Sequence, residues 1–176
     1  FPIIMYCMID QGKIKPFWDT DLIENLPFQK YPLPNYDKWE EAKHYPKEMV
    51  TDSLCSDKTA DDLKIDWKWT NELHVPEWKV NAVSIYKLSP GKVTPWHVDH
   101  FINFKKYYDI SDADTIYRRL LFLKDWRPGQ IFAIDDKTYT NWSAGDWIEW
   151  TQEHYHMGAN HSNEIRYTAQ LTGVKY

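Results

Sequence analysis

Apolar and polar positions divide the chain into two textures. From residue 78 onward, short apolar segments with period-two alternation recur between turn signals, which is the pattern of half-buried strands. Residues 80–88 are β-rich, Ser89-Pro90-Gly91-Lys92 is a turn, and residues 93–99 follow as a second strand. Residues 116–123 form an apolar run after a polar connection containing Asp109, Asp112 and Asp114. Residues 130–134 and 138–142 read as a hairpin around Asp135-Asp136-Lys137, preceded by the turn Trp126-Arg127-Pro128-Gly129. Ser143-Ala144-Gly145-Asp146 leads into a strand over residues 147–151, and residues 165–174 form the last strand. Seven or eight short strands at regular spacing predict a sandwich or barrel.

The first 77 residues are less regular. Residues 3–9 read as a short apolar strand. Asp19-Thr20-Asp21 caps a predicted helix through Leu22, Ile23 and Leu26, which Pro27 ends. Residues 29–35, with Pro32 and Pro34, are extended or loop. Residues 36–49 are charged and helix-compatible up to the interruption at Pro46. Residues 52–76 leave two readings open: alternation at Trp67 and Trp69, or a helix beginning at Asp61-Asp62-Leu63. No internal repeat, low-complexity tract or linker separates two units. The expectation is one domain over 1–176, with residues 1–77 as a helical or irregular support and 78–176 as the β core.

Composition narrows the class. At 43% hydrophobic and 16% aromatic residues the chain has material for a sizeable core, which argues against disorder. The ten tryptophans supply a core, an aromatic pocket, or both; strand parity keeps Trp96, Trp126, Trp142, Trp147 and Trp150 from all lining one pocket, so most are expected in the core. A net charge of −5 without a Lys/Arg run makes nucleic acid a poor partner. Cys7 and Cys55 make no disulfide framework and are expected to be reduced. The apolar opening lacks a basic n-region and is too short to span a bilayer, so no membrane association is expected. Asn141-Trp142-Ser143 and Asn160-His161-Ser162 match glycosylation sequons, but the second falls among the candidate site residues, where a glycan is awkward; a cytoplasmic protein is the simpler expectation.

The candidate chemistry is concentrated in two stretches. His97 and Asp99 lie two residues apart and share a face of an extended strand, while His100 takes the other face. Two histidines and one carboxylate are the side chains of the facial triad of non-haem Fe(II) enzymes. Taken alone, His97-Val98-Asp99 is as compatible with a surface hydrogen-bonded pair. The distal histidine has three candidates, His154, His156 and His161; given a triad, the ten-residue spacing to Arg166 favours His156. Arg166 and Thr168 share a strand face and make a receptor for a carboxylate. A buried guanidinium needs an anion, which is either such a ligand or a protein acid such as Asp146 or Glu149.

The ordered set Tyr86, Ser89-Pro90-Gly91, His97-x-Asp99, Arg118 to Gly129, Trp142-x-Ala144-Gly145-Asp146, His156, Asn160-x-Ser162 and Arg166-x-Thr168 resembles the Fe(II)/2-oxoglutarate-dependent oxygenases. Within them it is similar to the prolyl hydroxylase and aspartyl/asparaginyl β-hydroxylase branches. The likeness covers roughly residues 78–176. It implies a mainly β, cupin-like fold: a double-stranded β-helix (jelly roll) with N-terminal helices packed outside. It implies that His97, Asp99 and His156 bind Fe(II), and that Arg166 with Thr168 binds the C5 carboxylate of 2-oxoglutarate. Tyr86 falls near a tyrosine that assists there, and Arg118 lies on a strand face that reaches the cosubstrate in the β-hydroxylase branch. Those relatives often lack the carboxylate ligand, and related halogenases replace it with a small residue; Asp99 therefore favours hydroxylation. The implied reaction uses molecular oxygen to hydroxylate a C–H bond of a small molecule or peptide side chain, releasing succinate and CO₂. Rival readings are a jelly-roll module that binds sugar or peptide, and a cupin-type metalloenzyme without cosubstrate. Substrate choice is expected to lie in residues 101–114 and in the N-terminal region.

Overall fold

The alternation that begins near residue 78 becomes continuous antiparallel pairing in the computed structural model, which describes residues 9–30, 36–50 and 53–176. The strand expected over residues 3–9, apart from Ile9, and Cys7 with it, lies outside the described residues. In chain order the elements are β1 (Asp10–Lys13), α1 (Thr20–Glu24), β2 (Gln29–Lys30), β3 (Ser53–Ser56), α2 (Asp57–Leu63), β4 (Trp78–Leu88), β5 (Lys92–His97), α3 (Ile102–Tyr108), β6 (Ile116–Phe122), β7 (Gln130–Ile134), β8 (Lys137–Tyr139), β9 (Asp146–Thr151), β10 (His156–Asn160) and β11 (Arg166–Lys175).

Two sheets result. One has the order β1-β9-β6-β11-β4-β3-β2 and the other β5-β10-β7-β8. From β4 onward the chain alternates between sheets, returning to the large one at β6, β9 and β11. This winding is the double-stranded β-helix, the jelly roll of the cupins. Period-two alternation decides what each face buries. On one face of the large sheet, Val83, Ile85, Leu121, Ala169 and Leu171 pack with Ile23 and Leu26 from the region of α1 and with Leu73 and Val75. On the other, Leu120, Phe122, Ile148 and Trp150 meet Phe132 and Ile134 of the small sheet. The N-terminal helices therefore flank the barrel. At about 25 cal/mol per Å², each large apolar side chain buried between the layers contributes roughly 2 kcal/mol.

The N-terminal region departs from its expected helical or irregular character. β1 adds to the free edge of β9, and β3 with β2 extends the large sheet beyond β4. These short strands cover edges that would otherwise expose unpaired backbone groups. Residues 36–49 hold two single turns of 3₁₀ helix, Tyr36–Lys38 and Ala42–His44. The acidic pair Asp61-Asp62 ends a helix instead of starting one: Ser56 caps α2 by accepting from the Thr59 amide at 3.3 Å, and Lys64 closes it in a left-handed conformation. Asp57 joins this helix to the barrel by accepting from the Val83 amide at 2.7 Å and from the Trp67 indole at 2.6 Å. The segment between β5 and β6 contains α3 ahead of the polar stretch with Asp109, Asp112 and Asp114.

Candidate metal centre

His97 reaches the interior because β5 carries a bulge. Thr94 faces Gly158 and His97 faces His156, so three steps on β5 match two steps on β10. In an uninterrupted strand Thr94 and His97 would point to opposite faces. The extra residue at Pro95-Trp96 restores parity and turns His97 towards the face occupied by His156. The two imidazoles sit with centroids 4.3 Å apart. Each is held through its other nitrogen: His97 Nδ1 lies 2.8 Å from the Pro95 carbonyl and His156 Nδ1 lies 3.2 Å from the His154 carbonyl. A carbonyl partner makes Nδ1 the protonated nitrogen and leaves Nε2 as a lone-pair donor facing inward.

Asp99 stands just past the end of β5. One of its oxygens is 3.6 Å from His97 Nε2, and the other is 3.7 Å from His156 Nε2. The ligand atoms of the three residues all lie within 4.8 Å of one another, a set that can hold a metal ion. Arg118 on β6 also meets Asp99, with Nε and Nη2 both 3.1 Å from Oδ2, and its guanidinium lies over the Phe101 ring at 4.8 Å. Arg118, expected to reach a cosubstrate, is thus turned onto the carboxylate, and its strand partner on β11 is Thr172, four residues from Thr168.

The electrostatics suit a cation. Burial pushes the Asp99 carboxyl up, but Arg118 and then the two histidines outweigh it and hold the group below its ordinary range. Burial, followed by the neighbouring His97, brings the His156 imidazole down to about 4, with Asp99 opposing. A neutral imidazole beside an ionised carboxylate is the protonation state in which both act as ligands. Phe132 and Trp150 line His156 with ring centroids 6.3 and 5.0 Å away, which leaves an apolar wall on that side.

Deeper along β10, Gly158 opens space for Arg166. A Cβ at Gly158 would come within 2.5 Å of Arg166 Nη2, so the guanidinium occupies the place where a side chain would otherwise stand. Gly158 and His156 share a strand face, so Arg166 lies on the same inner surface as the triad. Its Nη1 donates to the Ile131 carbonyl at 2.7 Å. The acids considered as alternative partners are engaged elsewhere: Glu149 pairs with Arg119 at 2.7 Å and Lys175 at 3.2 Å, and Asp146 with Lys13 at 3.1 Å. Thr168 is buried on the Arg166 side of β11 and pairs directly across from Tyr86, which brings these three residues to one patch.

The other histidines fall outside the cluster. His154 is buried against Asp135, with Nδ1 at 2.5 Å from the carboxylate, and His161 and His100 are exposed. Among the tryptophans, Trp142 and Trp150 are core. The residue that sequence reasoning missed is Trp39, whose ring meets His97 edge-on at 5.4 Å. No local signal marks it, because it comes from the region that resembled nothing.

No family model matches the chain, and no curated protein matches it in sequence. Several solved structures do resemble it. A prolyl-4-hydroxylase from Pseudomonas putida superposes with a TM-score of 0.51 at 14% identity, covering 97% of this chain and 94% of that one. A 2OG-Fe(II) oxygenase family oxidoreductase from Burkholderia pseudomallei gives 0.49 at 11% identity, covering 88% and 76%. A cupin-superfamily sugar phosphate isomerase from Silicibacter pomeroyi gives 0.45 at 10% identity, covering 90% and 75%. At such identities the likeness is one of fold.

Proposed function

We propose that this protein is an Fe(II)- and 2-oxoglutarate-dependent dioxygenase that hydroxylates a C–H bond of a small molecule or peptide side chain. The observation that carries the reading is the joint placement of His97, Asp99 and His156 with Arg166 on one inner surface, the arginine seated over Gly158. The donor set fits the group. Two imidazole nitrogens and one carboxylate would satisfy three positions of a first-row divalent ion and would leave room for small oxygen ligands. Iron bound there would supply oxygen activation, with the cosubstrate as reductant.

The chain's own residues do the remainder. The carbonyls of Pro95 and His154 fix the imidazole tautomers. Arg166 and Thr168, with Tyr86 opposite, receive the distal carboxylate of the cosubstrate through charge-assisted hydrogen bonds. Phe132 and Trp150 keep water from one side of the centre. Arg118 holds one oxygen of Asp99 through two donor nitrogens and so fixes the carboxylate that would ligate the metal. Strands from both halves of the chain share one sheet, and we take residues 1–176 as one folding unit. The substrate in this reading is a small molecule or a peptide side chain, and a net charge of −5 without a Lys/Arg run does not favour nucleic acid.

The test is anaerobic titration of the Fe(II)-loaded protein with 2-oxoglutarate, following the visible charge-transfer band of the chelate. The expected result is a band in the wild type and in His161→Ala, with loss in His156→Ala and Arg166→Ala. Metal binding without a band would instead support a cupin-type enzyme that works without this cosubstrate. A protein that binds no metal would return the reading to a sugar- or peptide-binding jelly roll.

A further inference from the structure

The bulge that aims His97 is held from outside the barrel. Of the two carbonyls at the bulge, that of Pro95 accepts from His97 itself, and that of Trp96 accepts from the indole of Trp39 at 2.9 Å. The same Trp39 ring packs edge-on against the His97 imidazole, with an interplanar angle of 72°. One side chain therefore touches both the backbone that sets the direction of the ligand and the ligand ring. The Trp96 side chain is held as well, since Tyr155 stacks on it with rings 7° from parallel.

Trp39 is itself anchored. Its backbone carbonyl accepts from the amides of Ala42 and Lys43, and the surrounding segment packs Ala42 and Val50 against Val93 and Ala159 on the outer face of the small sheet. The Val93 amide donates to the Met49 carbonyl at 2.9 Å, and the Tyr155 hydroxyl bonds Glu41. Residues 36–50 thus lie along β5 and β10, the two strands that carry the histidines. A bulge in a strand is a soft place: it lacks ladder hydrogen bonds, and its unpaired carbonyl needs a partner or water.

We propose that Trp39 is a positioning residue for the metal centre, latching the Pro95-Trp96 bulge so that His97 Nε2 points at Asp99 and His156. This rests on the reading of His97, Asp99 and His156 as metal ligands, and it assigns the N-terminal segment a share in the site. The latch acts through His97 and makes no contact with a metal. Its effect is to remove the alternative in which the bulge relaxes and the imidazole turns out of the cluster.

The experiment is Co(II) titration of the chelator-stripped full chain, read by the visible d–d absorption. Trp39→Phe keeps most of the ring and removes the N–H. It is expected to weaken Co(II) binding roughly ten-fold, the scale of losing an outer partner of a ligand, and to alter the band shape. Trp18→Phe is the matched control, since the Trp18 indole donates to the Leu123 carbonyl at 2.9 Å in the cluster outside the large sheet. It should leave the titration unchanged. Equal Co(II) affinity and spectra in wild type and Trp39→Phe would overturn the latch alone and leave the dioxygenase reading intact. Equal losses in Trp39→Phe and Trp18→Phe would also overturn it, by reducing the effect to general destabilisation. A wild type that binds no Co(II) would overturn the latch and the triad together. A second measurement uses the unaltered protein. Because coupling between sites is reciprocal, Zn(II) binding should slow solvent exchange of the Trp39 indole proton in NMR spectra and leave that of Trp18 unaffected. Unchanged exchange at Trp39 would count against the proposal.

Discussion

Gly158 is where a single missing side chain makes room for chemistry. A methyl at this position would stand 2.5 Å from Arg166 Nη2, so Gly158→Ala should displace the guanidinium. The expected outcome is a roughly ten- to hundred-fold loss of 2-oxoglutarate affinity, with Co(II) affinity retained. Calorimetric titration would check it, and an unchanged cosubstrate affinity would show that Arg166 is not the receptor. His156 makes the second residue-scale prediction. Its folded value of about 4 lies below the ordinary 6.5, so between those limits the unfolded chain binds a proton that the folded protein refuses. The contribution is fully present above about pH 6.5 and is lost as the pH falls towards 4, amounting to up to about 3 kcal/mol. Urea unfolding of the metal-free protein across this range should show a slope that His156→Phe flattens. A slope identical in the variant would place its origin elsewhere. His97 and Asp99 are legible in the sequence as neighbours two residues apart, but strand parity does not relate them. In the fold, a bulge aims one and the turn after β5 carries the other.

At the scale of elements, strands announced themselves and short helices did not. β4 and β11 pair along almost their whole length, and their runs of β-branched and aromatic residues with period two leave little doubt of type. α2 is not legible locally, because acidic residues at 61 and 62 suggest a beginning, whereas Ser56 supplies the cap and Lys64 the end. The cap bond is local, but the tie that holds this helix is not: Asp57 receives the Val83 amide and the Trp67 indole, residues 26 and 10 positions away. Asp57→Ala should leave both donors without their partner and cost about 2–4 kcal/mol. That loss would appear as a lower urea midpoint with unaltered Co(II) affinity. A loss under about 0.5 kcal/mol would mean that water replaces the carboxylate at no net cost. α3 was invisible for a different reason. None of its seven residues is fully buried, and Phe104 alone packs on the core, so no apolar stripe records it.

For the molecule as a whole, a metal held between β5, β10 and the turn that carries Asp99 would tie distant strands together, and binding to the folded state alone would stabilise it. At a free metal concentration about 100 times the Kd the gain is about 2.7 kcal/mol, roughly 5–10 °C in Tm for a chain of this length. Differential scanning fluorimetry with Co(II) should show this rise in wild type and in His161→Ala, its reversal by chelator, and its absence in His97→Ala. A rise that persists in His97→Ala would locate the metal elsewhere. The sequence alone determined the architecture, because period-two burial and recurring turn residues are local properties that each strand carries in its own composition. It also narrowed the candidates for the site, since only certain residue types can ligate a cation or meet a carboxylate. Tertiary structure decided the rest: that Arg118 turns onto Asp99, that Gly158 makes the seat for Arg166, and that Trp39 lies against His97. Those contacts join residues 19, 8 and 58 positions apart, and they depend on a register shift and on how a flanking segment packs across two strands. No local pattern encodes such distances, because they are set by the closure of the barrel and not by any stretch of the chain within it.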